Sequence, residues 1–281
     1  YLRIADGCNR GCAYCAIPAI RGRYTSVPSD ELAQEAEILA EEGAKELILI
    51  AQEVNSYGRD LPGGEDLVSL LDRLEKTPGV EWIRLMYLHP PLVDSRLIEY
   101  VAGSGKIVPC FDFPVEHISE RILQLMGRPF PRRRLENRIR EIRKRIPEAV
   151  IRTSLITGFP GETDADFAEM ADFVAEGWFD RVGVFAFSPE EGTSAALLPD
   201  PVPPEEAAHR SEIIMELGAE ITLRRNRELV GSIQRVLVDE KTDTGEYYGR
   251  TAFDAPEIDG GVYIQVEITG AGEFDLWGKL I

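Results

Sequence analysis

The sequence predicts an α/β protein: a partial TIM-type (βα)6 barrel followed by a small all-β barrel of OB-like size. Three observations carry this. Apolar or β-branched runs at 1–5, 46–51, 82–87, 107–113, 149–157 and 181–187 alternate with segments of helical periodicity. The run Pro199-Asp200-Pro201-Val202-Pro203-Pro204, which can be neither helix interior nor central strand, ends that alternation. After a long helix over about 204–229, the texture from Gly231 onward becomes short strands and turns. The predicted division is 1–222 for the α/β core and 223–281 for the β-barrel.

The first helix places Leu32, Ala36, Leu39, Ala40 and Gly43 on one face, with Ser29 where an N-cap belongs. Leu67, Leu70, Leu71 and Leu74 repeat the pattern, as do Leu97, Ile98 and Val101, then Leu135, Ile139 and Ile142. Phe167, Met170, Phe173 and Val174 mark another helix, opened by Thr163-Asp164-Ala165-Asp166 as a capping box with Asp in place of Glu. Strands that each lead into a helix imply a parallel sheet with right-handed crossovers, curved but incomplete. In the last segment, turns are predicted at Asp243-Thr244-Gly245, Asp259-Gly260-Gly261 and Gly270-Ala271-Gly272.

Hydrophobic residues make up 44% of the chain and charged ones 28%, enough to bury a real core. No apolar run nears the ~18 residues of a membrane span, and no signal or lipidation motif is present. Tyr1 already lies within an apparent core strand, so the native N-terminus, and with it a domain, is expected upstream. The net charge of −18 disfavours a nucleic-acid phosphate backbone. It suits a basic partner, or serves solubility alone. Three of the four cysteines fall within eight residues, which points to a reducing cytoplasm and a metal site rather than disulfides.

That cluster is Cys8-Asn9-Arg10-Gly11-Cys12-Ala13-Tyr14-Cys15, directly after the first strand. Thiolates at this spacing, on a loop freed by Gly7 and Gly11, reach three corners of a 4Fe-4S cluster and leave the fourth iron open. A structural zinc needs four ligands, usually in two close pairs. The remaining candidates (His89, Cys110, His117, His209) are distant and unpaired, and Cys110 reads as a buried core thiol. An electron carrier or structural iron–sulfur module without catalysis would use four protein ligands.

The Cys-x-x-x-Cys-x-x-Cys loop after strand one resembles the radical S-adenosylmethionine (SAM) superfamily. The chain is similar, more narrowly, to the methylthiotransferases, which join such a barrel to a C-terminal TRAM β-barrel. Asp6-Gly7-Cys8-Asn9, Ser56-Tyr57-Gly58, Leu125-Met126-Gly127-Arg128, Thr153-Ser154 and Gly158-Phe159-Pro160-Gly161-Glu162-Thr163 carry that resemblance. Phe111-Asp112-Phe113-Pro114-Val115-Glu116-His117, Gly249-Arg250-Thr251 and Ala255-Pro256-Glu257-Ile258-Asp259-Gly260 resemble the RimO type within it. Two departures stand out: Glu116 replaces the family's usual Gln, and no ligands for the family's second, auxiliary 4Fe-4S cluster occur in this chain.

The resemblance implies a cluster on Cys8, Cys12 and Cys15 that cleaves SAM, and a radical that takes hydrogen from the β-carbon of an aspartate in small-subunit ribosomal protein S twelve. A methylthio group is then transferred from the auxiliary cluster. It implies a low-potential electron donor such as flavodoxin, and no membrane. A tRNA adenosine methylthiotransferase is the alternative within the family. Gln52, Glu53, Glu116, Ser154 and Gly158 fall where SAM is held in such barrels, with His117 and His89 as weaker candidates and Arg128 facing the reacting carboxylate or the cluster sulfur. Each also has an ordinary structural role open to it: strand-end polarity, a turn glycine, or a surface arginine. From Gly231 to Ile281, four basic residues face ten acidic ones, a balance of −6 that suits a basic protein better than RNA.

Overall fold

A computed structural model of the chain describes residues 1–241, 247–261, 266–271 and 276–280. Strand β1 (Leu2–Arg3) is followed by an antiparallel pair, β2 (Ala5–Asp6) and β3 (Thr25–Ser26), which brackets the cysteine loop. The other parallel strands are β4 (Glu46–Ile50), β5 (Trp82–Leu85), β6 (Cys110–Glu116), β7 (Val150–Thr157) and β8 (Arg181–Ala186). They form two parallel triplets, β1-β4-β5 and β6-β7-β8. A parallel bridge, Ile83 to Ile107, and the bond from Leu88 N–H to the Asp112 carbonyl (2.8 Å) join them into one curved six-strand wall. Among the described residues nothing pairs β8 with β1, so the barrel stays open. The run at 1–5 is not one strand: after Arg3 the chain leaves the sheet and turns out to present its cysteines.

The helices are α1 (Ile17–Arg21), α2 (Ser29–Glu41), α3 (Leu67–Leu74), α4 (Ser95–Gly103), α5 (Glu120–Leu125), α6 (Arg132–Arg145), α7 (Asp164–Ala175) and α8 (Pro204–Glu228). Their apolar stripes explain their packing. Leu67, Leu70, Leu71 and Leu74 of α3 are all buried, as are Leu135, Ile139 and Ile142 of α6. At about 1.5–3 kcal/mol for each such side chain, these faces hold the helices on the outside of the sheet. Thr163 and Asp166 form the expected capping box of α7. Ser29 corrects the sequence reading: Pro28 occupies the cap position of α2, and the Ser29 hydroxyl instead donates to Glu65 Oε1 at 2.9 Å. The proline is already extended (ψ 141°) and takes the cap position, so the helix begins at Ser29, one residue earlier than the cap rule expects.

The last unit is antiparallel: β10 (Val236–Lys241) pairs with β11 (Tyr247–Thr251), while β9 (Ile233–Gln234), β12 (Val266–Ala271) and β13 (Leu276–Leu280) form a second sheet. The predicted turn at 243–245 and part of that at 270–272 lie outside the described residues. The segment 252–259 leaves β11 and lies on the inner face of the parallel sheet. Ala255, fully buried, packs on Ile48 and Met86. Buried ion pairs fix it: Arg250 Nη1 to Glu46 Oε2 (2.7 Å), Arg181 Nη2 to Asp254 Oδ1 (3.3 Å) and Arg152 Nε to Asp259 Oδ2 (3.6 Å). The β-unit thus closes on the barrel through charges from both partners.

Candidate functional site

Loop geometry sets the three cysteines. Gly7 turns the chain at φ 74°, where a Cβ would sit 2.3 Å from the Arg23 carbonyl oxygen. Cys8 N–H donates to Gly22 O (3.1 Å), Ala13 N–H to Met126 O (2.8 Å) and Cys15 N–H to Cys12 O (3.1 Å). Gly127, also at positive φ, lets the Gly11 carbonyl come close enough that any Cβ would stand 2.6 Å from it. The loop is therefore clamped between the β2–β3 hairpin and the end of α5.

All three thiols are partly exposed and line one cavity of about 510 Å³ inside the barrel, at the C-terminal ends of the strands. Burial raises the pKa of Cys8 and Cys15 above that of a free thiol. Among the described residues, no three His, Cys, Asp or Glu side chains converge tightly enough for a single metal ion. A cubane is several atoms across, and its corner thiolates stand farther apart than those around one zinc. Three thiols spread around one cavity, with Arg128 Nη1 donating to Cys12 Sγ at 3.8 Å, fit that larger group.

Gln52, Glu53, Glu116 and Ser154 line the same cavity. Gln52 is exposed there, whereas Glu53 is 6% exposed and already engaged. Arg10 grips Glu53 with Nε on Oε2 (2.5 Å) and Nη2 on Oε1 (3.0 Å), and the Ser56 hydroxyl also donates to it. Burial alone would raise the Glu53 carboxyl, but the Arg10 and Ser56 hydrogen bonds hold it below the usual range. Glu116 ends β6 at φ 71°. Burial pushes its pKa up, against the pull of Arg128 and a hydrogen bond from Tyr14. Arg128 is fastened by Pro114 O (2.6 Å) and meets His89 Nδ1 at 3.3 Å. Burial and the adjacent Arg128 lower the His89 pKa to about 3, so this imidazole is neutral.

Two candidates lie elsewhere. His117 is fully buried: its Nδ1 accepts from Ile118 and Ser119 N–H (both 2.9 Å), and Nε2 meets Glu162 Oε2 at 3.3 Å. Glu162 in turn binds Arg210 of α8 (2.7 Å), so His117 belongs to a strut behind the sheet. Gly158 does not line the cavity; a Cβ on it would fall 2.2 Å from Ala207 Cβ, and its N–H donates to Glu162. Sequence reasoning passed over Arg10, Tyr14, Arg3 and Tyr87, which the structure adds to the cavity wall. Arg10 and Tyr14 lie between the cysteines, a signal that could have found them. Tyr87 carried none.

The radical SAM superfamily matches residues 2–174, and the TRAM domain matches 230–281. Over 99% of its length the chain is 44% identical to the ribosomal protein uS12 methylthiotransferase RimO of Aquifex aeolicus, spanning 68% of that relative. It is 41% identical to the protein of the same name from Syntrophomonas wolfei and 43% to that from Thermotoga maritima, spanning 66% and 67% of them. The chain thus covers about two thirds of the length of these curated relatives. Among solved structures, coproporphyrinogen III oxidase HemN from Escherichia coli, described as a radical SAM enzyme, superposes with a TM-score of 0.57 at 17% identity, over 94% of this chain and 62% of that one. The radical SAM methyltransferase TsrM from Kitasatospora setae also gives 0.57, at 16% identity over 83% of this chain and 37% of its own. At such identities the likeness is one of fold. No described helix is long and apolar enough to cross a membrane.

Proposed function

The chain belongs to the RimO family of radical SAM methylthiotransferases, and from that premise we propose that it cleaves SAM and directs methylthio transfer to an aspartate β-carbon of ribosomal protein uS12. The observation that supports this most is the placement of Cys8, Cys12 and Cys15 around one cavity at the strand ends. These residues would hold a 4Fe-4S cluster, which would supply the electron for cleavage of SAM's S–C5′ bond.

The chain's own groups position and shield. Gln52, Glu116 and Ser154 present polar atoms across the cavity to SAM, with Glu53 fixed beneath them by Arg10. Arg128 donates to the Cys12 sulfur and stabilises negative charge there. Gly158 acts from behind, letting α8 close against the end of β7. No polypeptide acid or base is required. We place the reaction in the cytoplasm, with a low-potential donor such as flavodoxin, and the division of the chain at 222/223, near the end of α8.

The test is an anaerobic incubation with dithionite, SAM and uS12. The chain should yield 5′-deoxyadenosine and methionine but no methylthiolated product, because its fourth cysteine, Cys110, is buried on β6 and supplies no second cluster. A methylthiolated product would place the sulfur source within this chain; absence of 5′-deoxyadenosine would remove the SAM-cleaving role. Binding of uS12 and of tRNA between about 50 and 300 mM salt separates the two family branches. Attraction to uS12 should weaken with salt, and tight binding of tRNA alone would move the assignment to the tRNA branch.

A further inference from the structure

We infer that Tyr87 is a substrate-positioning residue of this site, and that the β-unit segment 252–259 holds it in place through Asp259, Arg152 and Asp112. The inference rests on the SAM-cleaving reading of the cavity and adds which wall receives the second reactant.

The cavity has two ends. At one, the thiols have Glu53, Glu116 and Arg128 as their charged neighbours. Away from the thiols the cavity is also lined by Tyr1 and Tyr87, with Glu257, Arg250 and Glu46 near Tyr1. SAM must reach the iron at the thiol end. The far end remains for the substrate; Arg3, which also lines the cavity, is paired with Asp6 beside the cysteine loop.

Tyr87 stands out there by its backbone. It follows β5 at φ 54°, a left-handed conformation in which a bulky residue is a genuine outlier, and the residue is 44% exposed in a chain whose other barrel aromatics are mostly buried. Such strain persists only where the surroundings impose it. Here Tyr87 N–H donates to Asp112 Oδ2 (2.9 Å) and its carbonyl accepts from Val54 N–H (3.2 Å). Asp112 sits opposite Arg152 in the β6–β7 register. Arg152 is paired with Asp259, which also closes its own loop by accepting from Ala255 N–H (2.8 Å). A path of buried charge therefore runs from the β-unit to the backbone of one cavity residue. A glycine would take this conformation without strain, so what the tyrosine at φ 54° adds is its ring.

The experiment uses the reconstituted chain with dithionite, SAM and uS12 deuterated at the target aspartate Cβ. Abstraction moves one deuterium atom, with one electron, from that carbon to C5′, and mass spectrometry reads the deuterated fraction of 5′-deoxyadenosine. Tyr87→Gly should fold at least as stably as the parent but lower the deuterated fraction of the 5′-deoxyadenosine it makes about tenfold, the scale of a modest misplacement. Tyr87→Phe should restore most of it. Asp259→Asn should fall between, with a raised KM for uS12, while Arg235→Ala, which breaks an exposed contact with Glu81, should match the parent. A parent-like deuterated fraction in Tyr87→Gly overturns the inference; a parent-like Asp259→Asn beside a failing Tyr87→Gly overturns the part assigned to the β-unit. Parent protein that makes only undeuterated 5′-deoxyadenosine sinks the substrate reading and this inference with it.

Discussion

The two ends of the barrel use ion pairs differently. At the thiol end, Arg10 and Glu53 form a fork on the rim of an open cavity, and Arg128 has a thiol and backbone for partners. At the opposite end Glu46 is sealed between two arginines, Arg84 Nε at 2.7 Å and Arg250 Nη1 at 2.7 Å, with Arg84 fully buried. The first arrangement leaves charges able to meet a ligand. The second spends them on joining two units of the fold. The lesson is that a buried charge in this protein marks chemistry only where it also borders the cavity.

The largest break in that comparison is Glu46→Ala. It leaves the fully buried Arg84 without its carboxylate, while Arg250 keeps Asp239, and should cost about 3–5 kcal/mol, seen as a lower denaturation midpoint, with SAM cleavage per folded molecule unchanged. The matching change at the thiol end, Glu53→Gln, should cost less stability and lower SAM cleavage instead. If Glu46→Ala proved as stable as the parent, the seal between the units would not be made by this triad.

Gly158→Ala sharpens the same contrast for the strut behind the sheet. A Cβ at φ 72° and 2.2 Å from Ala207 forces α8 away, and about 1–3 kcal/mol should be lost. A selective loss of SAM affinity, with stability intact, would instead mean that this glycine approaches SAM directly.

The smallest effect concerns pH. Burial would raise the Asp166 carboxyl, but Arg121, Ser119 and Thr163 bonds together hold it below the usual carboxylate range. A depressed folded pKa gives stability that is complete above the unfolded value near 4 and is lost as pH falls toward the folded one. Asp166→Asn should therefore lower stability at neutral pH and flatten its dependence between about pH 4 and 2. An unchanged acid slope would show that this cap is not linked to proton uptake.

How far the sequence disclosed this follows from the range of each interaction. The cysteine loop, the apolar stripes of α3 and α6 and the Thr163–Asp166 box are local, and their spacing alone places them. Ser29 misled because the competing cap is its own neighbour, Pro28. Asp254 and Asp259 read as acidic surface, yet they lie against Arg181 and Arg152 from more than seventy residues away, a pairing no local pattern records. They add nothing to the field a basic partner meets, so the −6 counted for this unit overstates its outward charge. Tyr87 was illegible for the same reason: its backbone is set by Asp112, on another strand.

The central claim, that three cysteines hold a cluster with an open iron, is tested most directly by anaerobic reconstitution with iron and sulfide. The parent and Cys110→Ala should each bind about four irons and four sulfides with a brown absorption, and SAM should perturb the reduced cluster's electron paramagnetic resonance. Cys8→Ala, Cys12→Ala and Cys15→Ala should each abolish that signal. Stoichiometric zinc without iron in the parent, or a full cluster in all three variants, would contradict the claim.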